Sequence, residues 1–101
     1  MSIEITDSNF AELVEKSGVP VMIDFWAEWC GPCKGLSMII EVAKEKITVP
    51  IENIDIDQNI MESVHYGVRS VPTMVLLDEN GTELKRKVGT MTLEELNQFV
   101  S

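Results

Sequence analysis

Sulfur and imidazole are scarce in this chain, whose 101 residues hold two cysteines and one histidine. Two cysteines cannot build the disulfide framework of a small scaffold, and with one histidine they fall short of a self-contained four-ligand zinc site. Basic side chains are few as well, eight against seventeen acidic ones, for a formal charge of −9. Such a field repels phosphate backbones and anionic lipid, so neither a nucleic-acid nor a membrane partner is expected. No apolar run approaches the roughly 20 residues that a membrane span needs. The start, Met1-Ser2-Ile3-Glu4-Ile5, lacks the basic residues and long apolar stretch of an export signal, and a cytoplasmic location is the expectation. Linker-like tracts, repeats and low-complexity segments are missing too, which leaves one continuous domain over residues 1–101. What remains is an ordinary globular composition, 45% hydrophobic and 25% charged, sufficient for one small core.

The apolar spacing along the chain predicts an α/β order. Ile3 and Ile5 flank Glu4 in a short alternating segment that reads as a first strand. Phe10, Leu13 and Val14 recur at helical spacing after the cap candidates Thr6-Asp7-Ser8-Asn9, until Gly18 ends the pattern. Val21 to Trp26 is apolar except for Asp24, as suits a strand covered on both faces. From about Pro32 the stripe Leu36, Ile39, Ile40 and Ala43 predicts a helix, and Val49 to Ile56 a further strand whose start Pro50 weakens. Asn59 is placed to cap a short helix through Tyr66, ended by Gly67. Thr73–Leu77 and Leu84–Val88 read as strands joined by a hairpin through Asn80-Gly81. Thr92-Leu93-Glu94-Glu95 has the spacing of a capping box and opens a last helix. The alternation at the front favours parallel pairing, and the hairpin adds an antiparallel edge.

Both cysteines lie in one motif, Cys30-Gly31-Pro32-Cys33, placed after a buried strand and at the start of a helix. Two intervening residues bring the sulfurs within disulfide range while closing too small a ring to staple the fold. Cys30, at the helix end, faces unsatisfied N–H groups and the positive end of the dipole, which favour a thiolate. Cys33 lies one turn along, where strand and helix should cover it. Pro32 suits the first turn, which needs no N–H from it. The chemistry implied is dithiol–disulfide exchange, with Cys30 as nucleophile and Cys33 resolving the mixed disulfide. Half of a zinc site and two inert core thiols are the bland alternatives, and the strand–motif–helix context favours exchange over both.

Asp24 interrupts a run that otherwise belongs in a core. Burying a carboxylate costs several kcal/mol unless it is paired or protonated, so a raised pKa is expected. Six residues before Cys30, it is suitably placed to exchange a proton with Cys33. The competing reading is an edge aspartate turned to solvent.

The segment Asp24-Phe25-Trp26-Ala27-Glu28-Trp29-Cys30-Gly31-Pro32-Cys33-Lys34 resembles the active-site stretch of the thioredoxin family. Val71-Pro72-Thr73 resembles the family's cis-proline loop, Asp57-Gln58-Asn59 its segment after the third strand, and Lys87-Val88-Gly89 its groove glycine. The resemblance spans nearly the whole chain. It implies an α/β thioredoxin fold, a central mixed sheet of five strands flanked by four helices. It further implies a cis Pro72 beside the cysteines and an apolar contact surface of Trp29, Gly31, Pro32, Val71, Pro72 and Gly89. A client segment would pair with the Val71 backbone by strand addition. Its partners would be disulfide-containing clients and a thioredoxin reductase, in the family usually an NADPH-dependent flavoprotein. No bound cofactor or metal is expected, and a monomer is. Four positions depart from the pattern: Met38 for a helix-kinking proline, Asn53 for a lysine near the aspartate, Ser70 for a glycine at the groove edge, and Glu79 as an added turn residue.

Other residues are read as structural. His65 belongs to a helix end, Lys85-Arg86-Lys87 to a solvated strand edge, and Met22, Met38 and Met74 to core filling. Lys34 either raises the potential near Cys30 or simply faces solvent. Gly31-Pro32 between the cysteines favours a reductase over an oxidase or isomerase, and a redox-insensitive binding subunit is the third possibility.

Overall fold

Val21–Trp26 forms strand β1, apolar on both alternations but for Asp24, and in the computed structural model it lies inside the sheet. The structure describes residues 4–100. Strand β2, Ile51–Asp55, runs parallel to β1 on one side. Strand β3, Thr73–Leu77, runs antiparallel on the other, and β4, Glu83–Val88, completes the order β2-β1-β3-β4. Helix α1, Gly31–Ala43, makes the crossover that the parallel pair requires. Helices α2, Ile60–His65, and α3, Leu93–Phe99, follow, and a helical turn over Ala11–Glu15 precedes β1.

The sheet has four strands among the described residues, not five. Ile3 of the expected first strand lies outside those residues. Glu4 forms a single parallel bridge with Asn53, and Ile5 N–H donates to Asn53 O at 2.8 Å. The ladder ends there because the chain turns at once: Thr6 N–H donates to Asn9 Oδ1 at 2.7 Å, and Asn9 N–H returns to Thr6 O at 3.2 Å. The first helical turn also differs from the expected α-helix. Lys16 N–H reaches five residues back to Ala11 O, a π winding that buries Phe10 and Val14 and leaves Leu13 partly exposed.

Alternation along β1 divides the core. Val21, Ile23 and Phe25 pack with Ile5, Phe10, Val14, Ile54 and Tyr66 on one face. Met22 packs with Leu36, Ile40, Met74, Met91 and Leu96 on the other, beneath α1 and α3. Asp24 shares the second face by the two-residue period. Burial of a side chain such as Phe25 contributes roughly 2–3 kcal/mol.

Helix ends are settled by different means. Thr92 and Glu95 form the predicted capping box, with Glu95 N–H to Thr92 Oγ1 at 3.1 Å and Thr92 N–H to Glu95 Oε1 at 2.9 Å. Asn59 does not cap α2 with its side chain. That carboxamide is buried, accepting from Asp7 N–H at 3.1 Å and donating to Asp55 O at 3.1 Å. The cap comes instead from Asp7, whose carboxylate accepts from Met61 N–H at 3.2 Å and Glu62 N–H at 3.0 Å. At the hairpin, Asp78 Oδ1 accepts from Asn80 and Thr82 N–H, and Gly81 takes the positive φ of 83°.

The basic edge is less plain than expected. Arg86 grips Glu83 with two bonds of 2.7 and 2.6 Å and also donates to Tyr66 O, while Lys85 lies over the Phe99 ring. Met22 and Met74 fill the core, but Met38 is 73% exposed because it sits on the outer face of α1, opposite Leu36 and Ile40. Helix α1 runs through Met38 unbroken.

Candidate active site

The site begins where β1 stops. Beyond Trp26 the chain turns, Cys30 N–H donates to Ala27 O at 3.1 Å, and α1 starts at Gly31 with Pro32 in its first turn. Cys30 is the N-cap: its Sγ accepts from Cys33 N–H at 3.2 Å, the place where a serine or aspartate oxygen usually sits. The two cysteines form a disulfide with Cα atoms 5.3 Å apart. Cys30 and Cys33 are both buried and cluster with Ala27, Trp26, Ile56 and Val71. The N–H groups and dipole around Cys30 Sγ are the arrangement that stabilises a thiolate once the bond is reduced.

The segment on the other side of the cysteines comes from the loop before β3. The Val71–Pro72 peptide is cis, and Val71 packs on the cysteine cluster. Pro72 is buried, and its carbonyl accepts from Gly89 N–H at 2.9 Å, which ties the end of β4 to this loop. Gly89 has φ of 95°, a conformation that a side chain would strain. Thr73 Oγ1 donates to Ser70 O at 2.7 Å, and Ser70 itself is exposed. Gly31 and Pro32 are exposed beside them, and Trp29 is 70% exposed. An exposed indole needs something to orient it, and Trp29 Nε1–H donates to Asp57 Oδ2 at 2.8 Å. Asp57 was visible in the sequence only as part of a matched segment. Its position just beyond the end of the strand parallel to β1 was the available signal.

Asp24 is 2% exposed, and burial pushes its carboxyl well above the usual range, to about 7. The edge-aspartate reading is thereby excluded. Its Oδ1 has no hydrogen-bond partner among the described residues, and no hydrogen bond there joins it to either cysteine. Asn53 stands directly across from Asp24 in the β1/β2 register, so a neutral amide, not a cation, is the neighbouring strand's residue there. His65 is exposed on α2 beside Glu62 and Tyr66, outside the cluster, and Lys34 is exposed on α1. Among the described residues no group of three potential ligands is arranged to hold a metal ion. No helix there is long and apolar enough to cross a membrane.

The family model for thioredoxin matches residues 1–101. The chain belongs to the thioredoxin family. It is 42% identical to a thioredoxin of Rickettsia felis over 103 residues, covering 100% of this chain and 97% of that protein. It is 40% identical to thioredoxin C-3 of Corynebacterium nephridii, over 97% of this chain and 68% of that one. The solved structure of a thioredoxin variant from Halobacterium salinarum superposes with a TM-score of 0.88 at 30% identity, covering 98% of this chain and 87% of that one. As a thioredoxin-family protein with its cysteine pair in place, the chain is a protein-disulfide oxidoreductase whose function is disulfide reduction. Disulfide-containing substrates and a reductase partner come with that activity. The oxidase or isomerase reading and the redox-insensitive reading are not favoured.

Proposed function

We propose that Cys30 is the attacking thiolate, Cys33 the resolving thiol and Asp24 the group that moves the resolving proton. Cys30 S⁻ attacks one sulfur of a client disulfide, forming a Cys30–client bond and expelling the other client sulfur as a thiolate that takes a proton. Cys33 then gives its proton to the Asp24 carboxylate, and its sulfur attacks Cys30. That step forms Cys30–Cys33 and expels the second client sulfur as a thiolate, which takes a proton from solvent. Two electrons pass from the dithiol to the client, and no bound cofactor is needed. The observation that carries the assignment is the bond from Cys33 N–H to Cys30 Sγ at 3.2 Å, which marks Cys30 as the sulfur at the helix end.

Asp24 titrates near 7 and so takes up and gives back a proton at neutral pH. Trp29, Gly31, Pro32, Val71, Pro72 and Gly89 form the client groove. The Val71 backbone pairs with an extended client segment. A thioredoxin reductase, an NADPH-dependent flavoprotein, restores the dithiol. The protein works as a monomer in the cytoplasm.

Reduction of insulin by dithiothreitol is the test. The protein accelerates precipitation of the insulin chains, and Cys30→Ser abolishes the acceleration. Full activity in Cys30→Ser would overturn the assignment.

A further inference from the structure

The turn between β3 and β4 takes no part in the disulfide chemistry, since it follows Leu77, at the far end of β3 from Pro72 and the cysteines. It carries the pair Asn80-Gly81, with Asn80 exposed and Gly81 half-buried. An asparagine before a glycine can react with its own main chain, because no side chain hinders the glycine nitrogen from reaching the asparagine carboxamide. Closure requires that nitrogen to lose its proton and swing against Asn80 Cγ. Both depend on free movement of the peptides on either side of it.

The fold removes that freedom. Asp78 Oδ1 accepts from Asn80 N–H at 2.8 Å and from Thr82 N–H at 2.9 Å, and Asp78 O accepts from Gly81 N–H at 3.0 Å. Asp78 N–H donates to Thr82 O at 2.9 Å, and Tyr66 Oη–H to Gly81 O at 2.8 Å. The nitrogen that would attack is therefore engaged as a donor, and the peptides before and after it are pinned. Gly81 also lies against the first helical turn: a methyl group on its Cα would meet Glu15 Cγ at 3.2 Å.

We propose that Asn80 is a site of spontaneous deamidation held shut by the Asp78 clasp, so that the modification accumulates in molecules whose β3–β4 turn has opened. In the open turn Gly81 N bonds to Asn80 Cγ, its proton passes to water, and ammonia leaves Cγ. Water then opens the cyclic imide. Cleavage at Cγ leaves aspartate at position 80, and cleavage at the main-chain carbonyl leaves isoaspartate. Water is the only co-reactant, and nothing is oxidised or reduced. Either product sets a further carboxylate beside Asp78 and Glu79. In the isoaspartyl form the main chain between Asp78 and Thr82 is longer by one carbon, so the bond between those two residues cannot reform as before. Each opening that ends in closure of the ring is thereby recorded permanently, and the cysteines are untouched.

The test is incubation of the full-length protein at neutral pH, with peptide mapping that separates asparagine, aspartate and isoaspartate at position 80. Protein unfolded in guanidinium chloride deamidates at Asn80 faster than folded protein, by on the order of tenfold or more. Asp78→Ala removes the acceptor of two N–H groups and accelerates the folded reaction by on the order of tenfold. Asp78→Asn keeps Oδ1 and stays near the wild-type rate. Insulin reduction shows that each variant is folded, and if Asp78→Ala fails to fold, the wild-type comparison with and without denaturant decides alone. Equal rates in folded and unfolded wild type, or in folded wild type and Asp78→Ala, overturn the gate. Asp78→Asn reacting as fast as Asp78→Ala would trace the effect to charge and overturn the clasp. Absence of product at Asn80 in the unfolded chain overturns the site itself.

Discussion

Successive residues of β1 look into two different environments. Val21, Ile23 and Phe25 meet an apolar cluster with satisfied polar groups on that side: Tyr66 Oη–H donates to Gly81 O at 2.8 Å, and Asp7 receives two helix N–H groups. Met22, Asp24 and Trp26 meet α1 and the cysteines. Among the described residues two buried polar atoms of this strand face, Asp24 Oδ1 and Trp26 Nε1, have no hydrogen-bond partner, and neither has Lys44 Nζ at the end of α1. One strand thus carries a face built for stability and a face that gives stability up. The redox pair lies on the second. Polar groups that are fully paired cannot easily change protonation state, and a buried carboxyl without a partner can.

The contrast is broken most severely by Phe25→Ala. It removes a fully buried ring from the satisfied face and is expected to cost about 3–5 kcal/mol in urea unfolding. The folded fraction retains its insulin-reducing activity. Loss of activity per folded molecule would show that the two faces are not separable.

Asp24→Asn acts on the other face with the opposite sign. The folded carboxyl titrates near 7 and the unfolded one near its ordinary value of about 4. Between those pH values the unfolded chain releases its proton while the folded chain holds it, so stability falls as pH rises through this window. At pH 8 the penalty reaches about 4 kcal/mol, from roughly three pH units at about 1.4 kcal/mol each. Asp24→Asn removes it, so unfolding at pH 8 shows a gain of up to that size, and at pH 4 almost none. The same variant resolves mixed disulfides more slowly. A stability gain independent of pH would contradict the linkage.

Asp7→Ala sharpens the comparison at smaller scale. Here the carboxylate is satisfied, so its removal destabilises, by about 1 kcal/mol, the usual cost of a lost helix cap. Faster amide exchange at Met61 and Glu62 locates the loss at the start of α2. Unchanged exchange at those two amides would mean that α2 is capped otherwise.

Much of this was legible in the residues alone, for reasons tied to range. The Thr92/Glu95 box, the Cys30 cap and the turn at Gly81 depend on neighbours within three or four positions, and sequence windows of that size suffice. The burial of Asp24 was legible too, because five apolar neighbours in one strand leave little alternative. Asp7 as the cap of α2 was not legible, since nothing local links residue 7 to residue 61, and Asn59 offered a nearer choice. Met38 misled because a methionine on the outer face of a helix looks, by composition, like one on the inner. That no fifth strand forms among the described residues turned on Asn9, whose side chain draws the chain away after Ile5. Trp29 and Asp57 meet across the ends of adjacent strands, a relation that appears only once β1 and β2 are paired.

The bond from Asp7 to α2 also bears on the order in which the molecule assembles. Six residues are too few for a helix to nucleate unaided in water. Its leading N–H groups find their acceptor 54 and 55 positions earlier in the chain, so the helix is secured only when that long loop closes. In its contact order α2 behaves like a strand pairing with a distant partner. Asp57, which orients the exposed indole beside Cys30, lies three residues before this helix. On the proposed client face, the indole is therefore held by a segment next to the helix that the chain's front segment caps.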